Sequence, residues 1–449
     1  MGRALSGLTP RGRLFVAAGC VAAVAAVGAG QRDLLRVGIL LLALPLVSLL
    51  VALRSRVRLA ASRVVEPPRT PVHSPATVRL TLQNLARIPT GVLLVEDTLP
   101  YALGTRPRFV LDHVWSRFRR EVNYDVRSEL RGRYTLGPLT VRLTDPFGLV
   151  ELRRAFSETA TLIVTPTVVR LPPVRLIGEW SGSGESRPRS VASAGEEDAT
   201  IRAYRHGDDM RRVHWRATAH HSELMVRREE QPWQSRATLL LDTRSSGHAG
   251  HDPDSSLEWA VVATASVGVH LGDRGYAVRL VTDEGGAVSA SWHDSGGGPA
   301  GVEVPLLDAL AVVKSSRDAS VGRWPDLLSG AGAATGLLIG VLGRLHPREA
   351  ALVARLRHGS TAALAILLDA VSWTSASPRV REAEQQRLAE TAQVLRRAGW
   401  GVATASRGDD LPAVWERLGA NRSAYRITNA SEDAADAADS AAGTLGGAA

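Results

Sequence analysis

The sequence predicts a multi-domain chain: an N-terminal transmembrane helical hairpin, an antiparallel β-sandwich and a C-terminal α/β domain. Three observations lead there. Two apolar stretches without charge open the chain, short runs of period two follow, and strands alternating with helical patterns fill the second half. The 449 residues suffice for two or three globular units of roughly 100–200 residues each. Apolar residues make up 45% and charged residues 22%, a globular rather than a disordered composition.

The hairpin, residues 1–56, comes first. Spans of about 14–31 (Leu14–Gln31) and 37–53 (Val37–Leu53) carry no charged side chain. As helices rising about 1.5 Å per residue, each covers roughly 25 Å, close to the hydrocarbon thickness of a bilayer. Gln31, Arg32 and Asp33 make the turn, and Pro45 is tolerable because a membrane helix can re-satisfy a freed carbonyl locally. Three arginines precede the first span, two lie in the turn region and four follow the second (Arg54, Arg56, Arg58 and Arg63). The heavier flanks face the cytoplasm, so both termini and all soluble domains are expected there, with a short external loop. The alternative is a cleaved signal peptide ending near Gly28-Ala29-Gly30; the second span would still anchor the chain. A single cysteine, Cys20, excludes an internal disulfide and a cysteine-based zinc site.

Charge points to lipid before nucleic acid. The chain holds 54 basic and 45 acidic residues, but nine arginines and only Asp33 fall in residues 1–65, leaving the remainder nearly neutral. Lys314 is the only lysine, so the arginine richness reads as codon bias. Arginines beside the second span suit anionic inner-leaflet lipids, at about 1 kcal/mol per charge.

Residues 57–175 read as the sandwich, of immunoglobulin-like kind. Val78, Leu80 and Leu82 alternate with polar neighbours; Gly91–Glu96 is a continuous apolar strand; Val122, Tyr124 and Val126 share one face, as do Leu139, Val141 and Leu143. Arg131–Pro138 reads as a turn entering a strand and Asp145–Gly148 as a tight turn leaving one. Residues 176–200, rich in Ser, Gly and Glu, read as a flexible linker. In 201–427 strand-like runs at Thr238–Leu241, Tyr276–Val281, Leu337–Leu342, Ala362–Leu368 and Gly401–Ala405 alternate with helical patterns at Ser256–Leu271, His346–Arg357 and Arg379–Arg397. Crossovers of that kind imply a mostly parallel sheet covered on both faces. Residues 428–449, Ala/Asp/Gly-rich, read as a disordered tail.

The densest signal lies between Arg202 and Glu229. Gly207-Asp208 is a turn whose carboxylate can cap a following helix, and that helix would present Arg211, Arg212, His214 and Arg216 around Val213 and Trp215. The pattern resembles bacterial membrane proteins carrying the domain of unknown function numbered fifty-eight: an Arg-x-Tyr, a Gly-Asp, an Arg-x-Val-x-Trp and a small-residue run. It is met here at Arg202, Tyr204, Gly207, Asp208, Arg211 or Arg212, Val213, Trp215, Ala217 and Ala219. The segments around Arg131–Leu139 and Asp145–Leu149, and the hairpin, are also similar to that family. The resemblance implies a von Willebrand factor A-like C-terminal domain, partnership with a MoxR-type AAA+ ATPase and other membrane proteins, and no established reaction. Against a partner-binding role for the motif stands a structural one, with Trp215 and Tyr204 as core anchors and Asp208 as a cap.

A von Willebrand A-type Mg²⁺ site needs Asp-x-Ser-x-Ser after the first strand, with hard oxygen ligands in a near-octahedral array. Here the segment is Asp242-Thr243-Arg244-Ser245-Ser246. Asp242 and Ser246 fit, Asp283 offers a further carboxylate, and Arg244 puts positive charge where a cation should sit; pairing of Asp242 with Arg244 is favoured, and no cofactor is expected. His248, His251 and Asp252 fall in a Gly/Pro/Ser stretch read as a solvated loop. His220, His221 and Ser222 are adjacent, a spacing that rarely turns side chains towards each other on a helix. No Gly-x-Ser-x-Gly elbow, Walker A loop or dinucleotide fingerprint occurs. Acidic residues interspersed through 196–230 argue against nucleic acid. The expectation is a membrane-anchored, non-enzymatic adaptor; a Mg²⁺-dependent protein-binding domain is the alternative, and a cell-envelope hydrolase a remoter one.

Overall fold

The computed structural model describes residues 7–54, 59–84, 93–111, 118–144, 147–174, 200–203, 215–221, 224–228, 236–283, 288–290, 300–317, 320–329, 336–357 and 362–420. The expected linker core, 179–198, and the tail, 428–449, lie outside them. Two compact units emerge. One gathers Met1–Val168, Gly250–Ala265 and Leu306–Lys314; the other holds Val169–Ala249, Ser266–Pro305 and Ser315–Ala449.

In the first unit, α1 (Pro10–Ala29) starts where the Thr9 side chain accepts from the Gly12 amide (3.1 Å) and Pro10 presets the first turn. It stops at Gly30, whose φ of 66° is left-handed. With α2 (Arg32–Arg54) it forms a hairpin whose helices are each long and apolar enough to cross a membrane. α1 begins four residues before the span expected at 14–31 but stops at Ala29, two residues short of its end, where Gly30 turns left-handed, whereas α2 runs past the span expected at 37–53 at both ends because its polar flanks continue the helix. Gly19 and Gly38 let the helices touch: a Cβ on Gly38 would meet the Ala23 amide nitrogen at 2.9 Å, and one on Gly19 the Leu42 side chain at 2.8 Å.

The β-rich part carries β1 (Leu59–Glu66), β2 (Arg69–Pro71), β3 (Ala76–Asn84), β4 (Leu93–Asp97), β5 (Arg108–Leu111), β6 (Arg119–Val126), β7 (Gly132–Leu136), β8 (Leu139–Thr144), β9 (Glu151–Phe156) and β10 (Ala160–Thr165). Three sheets form, in orders β1-β3-β6, β2-β10-β7 and β5-β4-β8-β9. Along β3 every second residue is buried, as period two requires. Val78, Leu93, Val95, Leu136, Val141 and Leu162 from the three sheets share one core. One pair departs from the expected antiparallel pattern: β10 runs parallel to β2. Pro67 and Pro68 lack amide protons, so β1 cannot continue its ladder, and the chain re-pairs beyond them. Arg63 enters this core as a cation, bonding Asp97 at 2.5 Å, and Tyr124 donates to the same carboxylate.

In the second unit β11 (Thr200–Ala203) pairs with β12 (Met225–Arg228), joined through α3 (Trp215–His221). The main sheet is built from β13 (Arg236–Leu241), β16 (Ala277–Thr282), β17 (Val288–Ala290), β18 (Leu337–Leu342), β19 (Ala362–Leu368) and β20 (Gly401–Ala405). The two-residue strands β14 (Gly250–His251) and β15 (Asp254–Ser255) make a small hairpin between β13 and the helix that follows. That hairpin belongs to the first unit. The helices of this half are α4 (Ser256–Gly272), α5 (Ala300–Val312), α6 (Trp324–Ser329), α7 (Pro347–Ala354), α8 (Pro378–Arg397) and α9 (411–420). The sheet order is β17-β16-β13-β18-β19-β20; only β17, at one edge, is antiparallel. Every residue of β18 and β19 is buried, as in strands covered on both faces. β13 lies between β16 and β18, so the strand order reverses there, the position at whose carboxyl ends sheets of this kind commonly form a site.

Candidate functional site

The carboxyl end of β13 is where the sequence placed Asp242. The residue follows β13 directly and is fully buried. Its carboxylate is saturated: Arg244 donates from Nε to Oδ1 (2.9 Å) and from Nη2 to Oδ2 (2.8 Å), the Arg244 amide donates to Oδ1 (3.0 Å), and the Gly343 amide to Oδ2 (3.1 Å). The guanidinium is 3% exposed. Its Nη1 donates to Glu349 (2.7 Å), Nη2 also reaches the Arg344 carbonyl (3.1 Å), and the group lies 5.5 Å from the Trp324 ring centroid. Burial acts against the charge on Arg244, but the bonds to Asp242 and the proximity of Glu349 outweigh it and hold the guanidinium above its ordinary value.

A second carboxylate stands beside the first. Asp283 follows β16, accepts from the Thr243 amide (2.6 Å) and hydroxyl (3.0 Å), and accepts from the Trp324 indole. Burial, and then the charge on Asp242, push its pKa up, with the Thr243 and Trp324 bonds opposing. Two glycines permit the closure. A Cβ on Gly247 would meet Asp242 Oδ2 at 2.9 Å, and one on Gly343 would collide with the Gly247 carbonyl. The Arg344 amide donates to that same carbonyl at 2.7 Å.

The donor set does not suit a divalent cation. Both oxygens of Asp242 face a guanidinium, whose fork fits a carboxylate in two-point fashion, and Ser246 is exposed. Among the described residues no group of three or more His, Cys, Asp or Glu is arranged to hold a metal. A cation does sit at this edge, and it is Arg244.

The sequence reasoning reached Asp242, Arg244 and Asp283 but missed Glu349 and Trp324. Glu349 stands at the third position of α7, where its other oxygen accepts from the His346 amide at 2.7 Å; the pattern His346-Pro347-x-Glu349 carried that capping signal. His248 differs from the expected solvated loop residue: it is partly buried, and its Nε2 lies 2.7 Å from the Asp242 carbonyl. His251 is exposed in β14, and Asp252 accepts from Ser255 (2.9 Å). Of the motif, Arg202 lies in β11, and Tyr204, Gly207, Asp208, Arg211 and Arg212 lie outside the described residues. Trp215 opens α3 with 68% of its surface exposed, so it is no core anchor. His220 is likewise exposed near the end of α3. Arg131 has a structural role. Buried, it donates to the Leu310 and Val313 carbonyls and to Glu258 within the first unit.

Comparison with known proteins addresses the motif region. Residues 200–289 match the family described as "Protein of unknown function DUF58". The chain is also 27% identical over 218 residues to the uncharacterized protein YeaD of Bacillus subtilis (strain 168), covering 46% of this chain and 51% of that relative. Both findings support the DUF58 family. The chain thus spans about half the length of the curated relative it matches. The matched stretch contains Trp215, Asp242, Arg244 and Asp283 but neither Trp324 nor Glu349. Among solved structures, the CARDB domain of a Pyrococcus furiosus protein in complex with di-metal ions is 16% identical over 24% of this chain and 93% of that chain, with a TM-score of 0.19. The complex of zinc 2-glycoprotein with prolactin inducible protein from human seminal plasma gives 10%, 25%, 98% and 0.19 in the same terms.

Proposed function

We propose that this chain is a membrane-anchored, non-enzymatic adaptor that presents the edge of its α/β unit to a protein partner, a MoxR-type AAA+ ATPase. The observation that carries the reading is the Asp242–Arg244–Glu349 cluster. The place where an open catalytic or metal centre would form in such a sheet is filled by the protein's own guanidinium. An edge closed in this way offers a fixed surface and no open coordination position. The strand order, with one antiparallel edge strand and the carboxylate after the first strand, supports a von Willebrand factor A-like layout for this unit. Trp215, a large exposed aromatic within the DUF58 segment, is the residue type that anchors interfaces. The hairpin of α1 and α2 is read as the anchor. The arginine distribution is read as placing both termini and the soluble units in the cytoplasm, with attraction to anionic lipid adding to the anchorage.

The test is co-purification from native membranes after crosslinking, read by mass spectrometry. Trp215→Ala and Asp208→Ala are expected to lose the ATPase, and Trp215→Ala to keep the melting temperature of the parent because its side chain is exposed. Unaltered recovery of the ATPase with both variants refutes this interface. The alternative, a Mg²⁺-dependent binding domain using Asp242 and Ser246, requires the Arg244 fork to be expelled; heat on titrating Mg²⁺ into the full chain would favour it.

A further inference from the structure

We propose that the turn following β8, residues 147–151, is a third membrane-inserting element that seats the β-rich part at the acyl–headgroup boundary of the bilayer. The inference rests on the reading of α1 and α2 as membrane spans and adds a lipid contact that neither span supplies. The juxtaposition begins at the foot of α1. Leu8 pairs with Val150 in an antiparallel bridge. The Thr9 amide donates to the Leu149 carbonyl (3.0 Å), the Glu151 amide to the Gly7 carbonyl (2.8 Å), and the Thr9 hydroxyl to the Gly148 carbonyl (2.6 Å). Gly12 allows this approach, since a Cβ there would collide with the Leu149 carbonyl. The turn is therefore fastened to the residues that open the first span.

Its side chains then enter the hairpin. Leu149 and Val150, 2% and 1% exposed, cluster with Leu8 against Val16 of α1 and Leu44 and Leu49 of α2. Along the helix axis Val16 lies roughly 9 Å beyond Pro10 and Leu44 roughly 15 Å before Arg54, at about 1.5 Å per residue. With a hydrocarbon core of about 30 Å, a turn in contact with those residues cannot stand clear of the lipid surface while both helices span it. Backbone at that depth must find its partners within the protein, and the bonds to Gly7 and Thr9 supply them. Phe147 meanwhile leaves 62% of its surface outside the protein, at the level where aromatic side chains gain most from a bilayer interface. Arg11 and Arg13 are exposed on the same foot of α1 and would meet anionic headgroups.

The experiment uses the full chain in vesicles of phosphatidylcholine and phosphatidylglycerol. Cys20→Ala removes the native thiol, and a nitroxide is placed by Phe147→Cys, by Val24→Cys in α1, or by Tyr101→Cys, a site 99% exposed in the β-rich part. Collision with oxygen, which concentrates in lipid, is compared with collision with a water-soluble nickel chelate. The proposal expects the oxygen-to-chelate ratio at 147 to approach that at 24 and to exceed that at 101. A ratio at 147 equal to that at 101, with 24 still lipid-like, overturns the proposal and leaves the hairpin reading standing. Water-like ratios at both 24 and 147 overturn the hairpin reading and this proposal with it.

Discussion

At the scale of single residues the central object is one ion pair. Asp242 and Arg244 are both withdrawn from water, and removal of one partner strands the other. Loss of one member of a buried pair costs about 3–5 kcal/mol, so Arg244→Ala is expected to destabilise the α/β unit by that order. Denaturant unfolding in detergent micelles, followed by the fluorescence of the buried Trp324, Trp373, Trp400 and Trp415, measures it; a change within about 0.5 kcal/mol, the range of surface substitutions, would contradict the assignment. Asp283 gives a pH signature. Its folded-state pKa lies above the ordinary value near 3.8, so between the two values the folded state binds the extra proton. This group therefore costs stability at neutral pH, and acidification through that window relieves the cost. The stability of the parent relative to Asp283→Asn should rise as pH falls through the window; a difference independent of pH would refute it. Asp242, Arg244 and Asp283 were visible as residue types after recognisable strands. Glu349 and Trp324 were not, because they arrive from 105 and 80 positions beyond Arg244 along the chain, and only the sheet order brings them together.

Elements were legible where one periodicity ruled a segment. The runs Leu337–Leu342, Ala362–Leu368 and Gly401–Ala405 were marked by apolar character, broken only at Thr404, and coincide with β18, β19 and β20. β2 escaped detection, since three residues bearing one buried side chain show no period, and its parallel pairing with β10 follows from the two prolines before it. Of the helix expected to present Arg211, Arg212, His214 and Arg216, the first three lie outside the described residues and Arg216 falls in α3. Between elements, backbone contact at the carboxyl edge depends on glycine. Gly343 stands at the end of β18 with its α-carbon facing the Gly247 carbonyl, and the two segments are also bonded through the Arg344 amide. Gly343→Ala is therefore expected to cost about 1–3 kcal/mol, the usual range for overpacking a close contact, in the same unfolding assay. Parent-like stability would show that the loop yields freely and that the edge is not held by this contact.

The whole molecule divides into two compact units, the first of which carries the apolar hairpin, and the proposed function depends on the side of the bilayer to which they are assigned. The hairpin was legible from length and lack of charge alone; the cytoplasmic placement of the units is part of the proposal and rests on nine arginines against one aspartate in residues 1–65. The division of the chain into units was less legible: short segments at 250–265 and 306–314 group with the N-terminal unit, and no composition change marks them. An adaptor for a cytoplasmic ATPase must expose its α/β edge in the compartment of that ATPase. Single cysteines in a Cys20→Ala background, at Gln31 between the helices, at Tyr101 and at Arg407, can be reacted with a membrane-impermeant maleimide on intact cells. The account predicts labelling at position 31 alone, with 101 and 407 reacting only after the cells are broken; labelling of 101 or 407 from outside would contradict it.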